Sequence, residues 1–436
     1  MTYDHQGRQG RRLTATVTDL DVEVQKAFLV GVLLPDSDEE TEQRSLDELE
    51  LLTDTAGSDP VGRELVRRDA PDPAYFIGSG KAQELRGVTK ALDVDVVVFD
   101  NQLTPAQQRN LQKVFECDVV DREALILDIF AQHATSREGS LQVELALLRY
   151  RLPRLRGIGK ELSQQGAGIG TRGPGETKLE TDRRRIESRI AKLVGDLKSL
   201  ASTRRTQRKA RRRAEIPQIA VVGYTNAGKS TLLNHVTEAD VLTEDRLFST
   251  LDSTVRRAEL PDGHLVLMSD TVGFVRRLPH QLVEAFRSTL DDVKDADLLL
   301  HLVDASDPDP EGQIAAVQEV LEEVDADAVP QLVVFNKIDI ADELELIRLR
   351  RLFPDSPMIS AITGEGIADL METLADKLRA KTVLMRLSIP YERGDILAAA
   401  HRIGEVIVEK HEDDRTVLEA RIPITEQSRF ESFATA

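Results

Sequence analysis

The sequence is poor in cysteine, in aromatic residues and in long apolar runs. Cys117 is its one cysteine, tryptophan is absent, and aromatic residues make up 4% of the 436 residues. A single cysteine forms no internal disulfide, and without a Cys/His cluster we expect no zinc site. There is no run of about 18 apolar residues to predict a membrane span, and the first residues, MTYDHQGRQGRRL, lack the apolar centre of a signal peptide. We therefore expect a cytoplasmic protein in a reducing compartment.

Acidic residues outnumber basic ones, with 76 Asp and Glu against 57 Lys and Arg and a net charge of −19. This balance argues against nucleic-acid binding by the whole surface, because Lys and Arg are the residues that bind phosphates. Between residues 149 and 213, however, 20 Lys and Arg face only 6 Asp and Glu. One basic segment in an acidic protein indicates a local RNA site. The acidic remainder is typical of a monomer that stays hydrated in a high-salt cytosol.

The chain is too long for one core, and its patterns predict a multidomain α/β protein. After a tail over residues 1–23, residues 24–137 alternate apolar runs with amphipathic helices, which predicts an N-terminal α/β domain. Residues 138–216 have helical periodicity on both sides of a glycine-rich stretch and predict a helical hairpin. Residues 217–380 predict a doubly wound P-loop domain, and residues 381–436 predict a small C-terminal α/β domain.

Two segments of the predicted N-terminal domain need a closer interpretation. The acidic segment DSDEETEQRSLDELELL (36–52) predicts a solvated helix at best, because charged residues dominate it. The segment GSGKAQEL (78–85) resembles a phosphate loop but lacks the four-residue spacer and the hydroxyl after Lys81. We interpret it as a turn into a helix and not as a second nucleotide site.

The segment GYTNAGKS (223–230) matches the Walker A phosphate loop. It follows the strand-like QIAVV and precedes the helix-competent TLLNHV, which is the context that the motif requires. Lys229 would reach the β- and γ-phosphate oxygens, and Ser230 would bind Mg²⁺. The predicted nucleotide-binding residues of this loop are Gly223, Tyr224, Thr225, Asn226, Ala227, Gly228, Lys229, Ser230 and Thr231.

A second motif, Asp270-Thr271-Val272-Gly273, follows a predicted strand and fits DxxG. In that motif the aspartate holds Mg²⁺ through water, and the glycine N–H contacts the γ-phosphate. Upstream, the polar loop LFSTLDSTVRR (247–257) offers Thr250 or Thr254 as the switch hydroxyl that binds Mg²⁺, and we favour Thr250. Lys229, Thr250 and Gly273 are thus the catalytic candidates.

The residue after DxxG is Phe274, where Ras-type GTPases have a glutamine that orients the attacking water. A phenylalanine forms no hydrogen bond to water. We therefore predict slow intrinsic hydrolysis that a partner accelerates. The alternative is that Phe274 fills a gap in the core and the protein hydrolyses its nucleotide unaided.

A third motif, Asn336-Lys337-Ile338-Asp339, closes the strand-like LVVF and matches NKxD. The Asp339 carboxylate can accept from two guanine N–H donors, whereas adenine would leave this charge unpaired. Lys337 would lie along the base and Asn336 would join this loop to the phosphate loop. Ser360-Ala361 would supply a backbone N–H for the guanine carbonyl.

The glycine-rich stretch 157–176 contains seven glycines, and its plainest interpretation is a flexible linker. The arginines that follow it oppose the helix dipole, which favours a role in binding phosphates. Few aromatic side chains are present to stack on bases, so we expect structured RNA rather than a single strand. The candidate RNA contacts are Arg172, Lys178, Arg183, Arg184 and Arg185.

The chain resembles the HflX-type GTPases, of the Obg and HflX group of translation-associated GTPases. Beyond the three motifs, the resemblance rests on QLTPAQQRNL (102–111), DREALILDIFAQHA (121–134), LQVELALLRYRLPRL (141–155), GIGTRGPGETKLETDRRRI (168–186) and LFSTLDSTVRR (247–257). It implies the four domains predicted above, Mg²⁺-dependent hydrolysis of GTP to GDP, and binding to the large (50S) ribosomal subunit, whose particles stimulate hydrolysis. The implied switch contacts are Phe248, Ser249, Thr250, Leu251 and Asp252, which supports Thr250 over Thr254.

Two alternatives stay open. The protein could signal through its GTP-bound state without turnover, or it could be a GTPase that acts on tRNA or another structured RNA. Multiple-turnover kinetics with ribosomes and cosedimentation with large subunits separate these hypotheses.

Overall fold

The computed structural model describes residues 24–155, 174–213, 216–237, 248, 254–277, 287–379 and 382–435. The strands are β1 (Lys26–Leu33), β2 (Asp59–Arg67), β3 (Val96–Phe99), β4 (Asp118–Asp121), β5 (Gln218–Gly223), β6 (Val255–Glu259), β7 (Leu265–Asp270), β8 (Leu298–Asp304), β9 (Gln331–Asn336), β10 (Thr382–Pro390), β11 (Glu405–His411) and β12 (Arg415–Pro423). The helices are α1 (Glu39–Thr55), α2 (Ser79–Ala91), α3 (Pro105–Phe115), α4 (Arg122–His133), α5 (Arg137–Arg154), α6 (Pro174–Arg213), α7 (Lys229–Thr237), α8 (Arg287–Lys294), α9 (Pro310–Glu323), α10 (Glu343–Leu352), α11 (Ile367–Arg379), α12 (Gly394–Ile403) and α13 (Gln427–Phe430). These elements confirm a multidomain α/β fold.

The N-terminal domain, β1–β4 with α1–α4, is built on a parallel sheet in the order β2-β1-β3-β4. The central strands β1 and β3 are almost completely buried, as their apolar runs predict. Thr104 begins α3 with a capping box to Gln107, and Asp121 caps α4. The segment that resembled a phosphate loop enters α2 at Gly78, as predicted.

The prediction of a solvated helix over residues 36–52 was wrong. The helix α1 packs against the sheet through Leu46, Leu49 and Leu52, which are at most 1% exposed. These leucines form one apolar stripe within an acidic helix, and a stripe of this kind is enough to bury one face. The prediction failed because it relied on the acidic composition of the segment and not on the spacing of its leucines.

A pair of helices, α5 and α6, follows the N-terminal domain. Val143, Ala146 and Tyr150 of α5 are buried in the same core as α4. The 40-residue helix α6 contacts α5, and Arg189 of α6 bonds both carboxylate oxygens of Glu144 at 2.6 and 2.7 Å. The glycine-rich stretch between the helices lies outside the described residues, apart from the start of α6.

The third region carries a five-stranded sheet in the order β6-β7-β5-β8-β9. Strands β7, β5, β8 and β9 are parallel, and β6 is antiparallel at the edge. The predicted motifs follow the carboxyl ends of β5, β7 and β9. In an open parallel sheet this edge is where ligands bind.

The C-terminal region is an antiparallel sheet in the order β10-β12-β11, packed against α12. Leu387, Leu418 and Phe430 lie in its core and are fully buried. Among the residues that the structure describes, no helix has both the length and the apolar character needed to cross a membrane.

Candidate functional site

The phosphate loop joins the end of β5 to the start of α7, and close contacts fix two of its glycines. A side chain at Gly223 would place its Cβ 2.3 Å from the Leu302 carbonyl oxygen. A side chain at Gly228, which has φ +91°, would place its Cβ 2.3 Å from Asn336 Nδ2. Both positions therefore require glycine. The intervening Asn226 has a left-handed backbone with φ 59°.

Lys229 begins α7 and is 6% exposed. Its ammonium group donates to the carbonyl oxygens of Gly223 at 3.1 Å and Tyr224 at 2.7 Å. Burial lowers the pKa of Lys229 to about 8, and the nearby Asp270 carboxylate opposes this shift. The loop thus holds a desolvated cation at the place where phosphates would bind.

Two of the three predicted metal ligands lie side by side. Ser230 Oγ donates to Asp270 Oδ2 at 2.8 Å, and Asp270 is 2% exposed at the end of β7. A hydroxyl and a carboxylate are hard oxygen ligands of the kind that Mg²⁺ prefers, so these residues fit the ion. The third, Thr250, lies outside the described residues, as do Ser249, Leu251 and Asp252. The rival Thr254 is exposed, and its carbonyl oxygen accepts the Asp270 N–H at 3.0 Å.

The DxxG segment lies directly against the phosphate loop. Phe274 O accepts the Thr225 N–H at 2.7 Å, and the Phe274 N–H donates to Gly223 O at 3.2 Å. A Cβ on Gly273 would lie 3.1 Å from Lys229 Nζ. The Gly273 backbone is therefore close to the cation that would meet a γ-phosphate. Phe274 is 1% exposed in the core, which agrees with both interpretations of this residue.

The NKxD loop is joined to the phosphate loop, as predicted. Asn336 Nδ2 donates to Ala227 O at 2.8 Å, and Asn336 Oδ1 accepts the Ala361 N–H at 2.9 Å. The N–H predicted for the guanine carbonyl is thus bonded to Asn336 here, and a base would have to share it. Lys337 Nζ pairs with Asp304 at 2.7 Å, and Asp339 is exposed. A further bond joins the NKxD loop to the segment that contains Ser360. The Ile338 N–H donates to the carbonyl oxygen of Ile359, the residue before Ser360, at 3.3 Å.

Comparisons with known proteins cover nearly the whole chain. Family models described as "GTP-binding GTPase N-terminal", "GTP-binding GTPase Middle Region" and "50S ribosome-binding GTPase" match residues 43–131, 133–211 and 218–337. GTPase HflX of Caldanaerobacter subterraneus subsp. tengcongensis is 43% identical over 409 residues, which are 94% of each chain. GTPase HflX of Escherichia coli is 43% identical over 394 residues, which are 90% of this chain and 92% of the relative.

The chain belongs to the HflX family of GTPases. It therefore binds GTP and hydrolyses it, and P-loop GTPases in general use Mg²⁺. A solved structure with the description "crystal structure of SsGBP and GDP complex" is 26% identical, with a TM-score of 0.46 over 81% of this chain and 98% of that chain.

The predicted RNA contacts of this HflX-family chain lie partly on α6. Arg183, Arg184 and Arg185 pair with carboxylates of the same helix at 2.8, 3.1 and 3.6 Å, and their side chains are 41%, 76% and 77% exposed. These ion pairs offset part of the unfavourable interaction between the arginines and the helix dipole. Arg172 lies outside the described residues, and Lys178 lies in α6 at a position where the side chain is not described.

Sequence reasoning placed Tyr224 in the nucleotide site of this HflX-family GTPase, but it missed the contacts of Tyr224 and of the segment after DxxG with the N-terminal domain. The Tyr224 hydroxyl donates to Glu48 of α1 and accepts the Arg276 N–H at 2.6 Å. Arg277 pairs with Glu42 of α1 and, at 2.8 Å, with Asp100 after β3. The dipeptide Arg276-Arg277 beside DxxG was the available signal, but nothing in the sequence indicated its partners.

Proposed function

We propose that this HflX-family protein is a Mg²⁺-dependent GTPase that works on the large (50S) ribosomal subunit, in rescue, splitting or biogenesis of ribosomes. The observation that carries the proposal is the exposed arginine cluster on α6, in a chain that also has a GTPase site and is otherwise acidic. Its support also includes the match of residues 218–337 to a family described as 50S ribosome-binding GTPases. Phosphates of rRNA are the ligands that such a cluster favours.

The proposed nucleotide site uses all three motifs. Ser230 and Thr250 would bind Mg²⁺ directly and Asp270 through water, and the ion would add positive charge at the β- and γ-phosphates. Asp339 would select guanine. The other proposed GTP contacts are Gly223, Tyr224, Thr225, Asn226, Ala227, Gly228, Lys229, Thr231, Phe248, Ser249, Leu251, Asp252, Thr271, Val272, Gly273, Asn336, Lys337, Ile338, Ser360 and Ala361.

Charge neutralisation and positioning dominate the proposed mechanism. Lys229 would neutralise the bridging and γ-phosphate oxygens, and the Gly273 N–H would donate to the γ-phosphate. Phe274 has no group that orients water, so intrinsic turnover is slow. The bound ribosomal particle accelerates it by completing the arrangement of the switch loops.

The test is GTP turnover with and without purified large subunits, in the wild type and in an Arg184→Glu/Arg185→Glu variant. An Arg350→Glu/Arg351→Glu variant is the matched control, because it makes the same charge change at exposed residues of α10. We expect subunits to stimulate the wild type and the control but not the α6 variant.

The stimulation should also fall as salt rises, because phosphate contacts release counterions. If large subunits fail to stimulate the wild type, the partner is wrong, and tRNA becomes the next RNA to test. If both variants lose stimulation equally, α6 is not the docking surface.

A further inference from the structure

One phenol connects three parts of the molecule. Tyr224 lies in the phosphate loop, and its hydroxyl donates to Glu48 of the N-terminal domain. The same oxygen accepts the backbone N–H of Arg276, three residues beyond Gly273, at 2.6 Å. Tyr224 is 7% exposed, so this bond pair lies in a site from which water is largely excluded. Hydrogen bonds to a carboxylate in such a site are stronger than neutral ones.

Glu48 is held firmly in its place on α1. It is 9% exposed, and its second oxygen bonds Arg122 of α4. Arg122 is 3% exposed and also bonds Asp100 at 2.7 Å. The carboxylate that receives the Tyr224 hydroxyl therefore cannot move without breaking a buried network. Burial and the Glu48 charge raise the pKa of Tyr224 well above its ordinary value, so its hydroxyl stays a donor.

The segment after Gly273 is anchored at successive residues. Phe274 bonds the phosphate loop through both its N–H and its carbonyl oxygen. The Arg276 side chain pairs at 2.6 Å with Asp309, which also pairs with Arg44 of α1 at 2.8 Å. Gly273 would contact the γ-phosphate through its backbone N–H, and the position of that N–H depends on these anchors. Tyr224 is the anchor that joins the phosphate loop to both the Arg276 backbone and the N-terminal domain through one oxygen atom.

We propose that Tyr224 and Glu48 are positioning residues for GTP hydrolysis. The N-terminal domain fixes the Tyr224 phenol through Glu48, and the phenol holds the backbone at Arg276 so that the Gly273 N–H faces the γ-phosphate. The inference rests on GTP hydrolysis by the chain and is independent of the ribosomal partner. A purely structural bond between two domains would affect GTP and GDP alike. A bond that positions the Gly273 N–H would affect only nucleotides with a γ-phosphate, which GDP lacks.

The test uses the full chain with Tyr224→Phe, which removes the hydroxyl and keeps the ring. We expect kcat for GTP to fall by about tenfold, on the order of one charge-assisted hydrogen bond. The preference for a non-hydrolysable GTP analogue over GDP should fall by a similar factor, while the GDP Kd stays as in the wild type. Unchanged GDP binding also shows that the variant is folded.

Glu48→Gln keeps an acceptor but removes the charge, so we expect a smaller loss of kcat, about threefold. In kcat, the Tyr224→Phe/Glu48→Gln double variant should match Tyr224→Phe alone, because Glu48 acts on the Gly273 segment through the Tyr224 bond, whereas its pair with Arg122 affects stability. Glu50→Gln is the matched control on α1. Glu50 has a side chain that is 47% exposed and pairs with Arg63 at 3.2 Å, and this variant should behave as the wild type.

Three results would overturn the inference. The first is wild-type kcat and wild-type nucleotide preference in Tyr224→Phe. The second is a parallel loss of GTP and GDP affinity, which assigns the bond a structural role. The third is a double variant whose losses multiply, which shows that the two residues act separately.

Discussion

Lys229 carries an ionisation that couples nucleotide binding to pH. Burial lowers its pKa to about 8 in the free protein. Bound phosphates supply negative charge and raise that pKa again. Above pH 8 the free protein has a neutral Lys229, so nucleotide binding must then take up a proton. Affinity is therefore insensitive to pH well below 8 and falls as pH rises through that value.

We expect the affinity for GDP to fall by up to about tenfold per pH unit from pH about 8 to about 9, a range in which the guanine N1–H that Asp339 would bind stays largely protonated. Fluorescent-nucleotide titrations across this range measure the effect. Calorimetry in buffers of different ionisation enthalpy counts the proton directly. Constant affinity across the range would show that Lys229 is charged throughout.

His301 of β8 lies in the same region and has a different role. It is 1% exposed, and within the described part of the chain neither ring nitrogen has a hydrogen-bond partner. Burial, and to a lesser degree the Lys229 charge, lower the pKa of His301 to about 4. The imidazole is therefore neutral at ordinary pH and adds no second cation beneath the phosphate loop.

At the scale of elements, α1 offers a direct test of its packing. Leu49 is 0% exposed and Leu51, two residues away, is 59% exposed. We expect Leu49→Ala to lower the free energy of unfolding by about 2–5 kcal/mol, through lost burial and a cavity. Leu51→Ala is the control and should cost less than about 0.5 kcal/mol.

Urea unfolding followed by circular dichroism compares the two leucine variants. Similar small losses in both would mean that α1 is the solvated helix that its composition predicted. Similar large losses would mean that Leu51, which is exposed in this structure, is also packed against another part of the protein in solution.

The elements that the sequence predicted and those it missed differ in their place in the sheet. The central strands β1 and β3 coincide with apolar runs of the kind that predicted the N-terminal α/β domain, whereas β2 and β4 are the edge strands of the order β2-β1-β3-β4. Edge strand β2, with the sequence DPVGRELVR, is mostly half-buried, and β4 has only four residues. Neither sequence contains the long apolar run that predicts a buried strand.

The nucleotide site shows the same division between local and distant information. Each motif is a contiguous run at a strand end, so the parallel topology alone brings Ser230 to Asp270 and Asn336 to Ala227. The Tyr224 bond to Glu48 joins residues 176 positions apart, and no local pattern indicates it. Contacts between domains depend on how two surfaces meet, which periodicity does not describe.

At the scale of the whole molecule, described residues of both predicted switch segments contact the N-terminal domain. The ring of Phe248, two residues before Thr250, packs edge-on against Phe130 of α4 with centroids 4.6 Å apart. Arg277, four residues after Gly273, pairs with Asp100. Two domains thus contribute described residues around the predicted γ-phosphate position, so we expect a change of bound nucleotide to alter contacts in both.

The net charge of −19 determines how salt acts on the molecule. Repulsion among acidic side chains destabilises the compact state, and molar KCl shortens the screening length to about 3 Å. Exposed ion pairs contribute little, so their screening costs little. The buried Glu48–Arg122 pair, whose side chains are 11% and 3% exposed, is screened much less. We therefore expect the fold to be more stable at high salt.

The measurement is the urea midpoint of unfolding between about 0.1 and 2 M KCl, where screening grows severalfold. Urea is the right denaturant because guanidinium is itself a salt. We expect the midpoint to rise with KCl and GTP turnover without ribosomes to persist. Stimulation by large subunits should weaken over the same range, because phosphate contacts are salt-sensitive. Unfolding at molar KCl would instead show that ion pairs, and not relief of repulsion, control the stability of the chain.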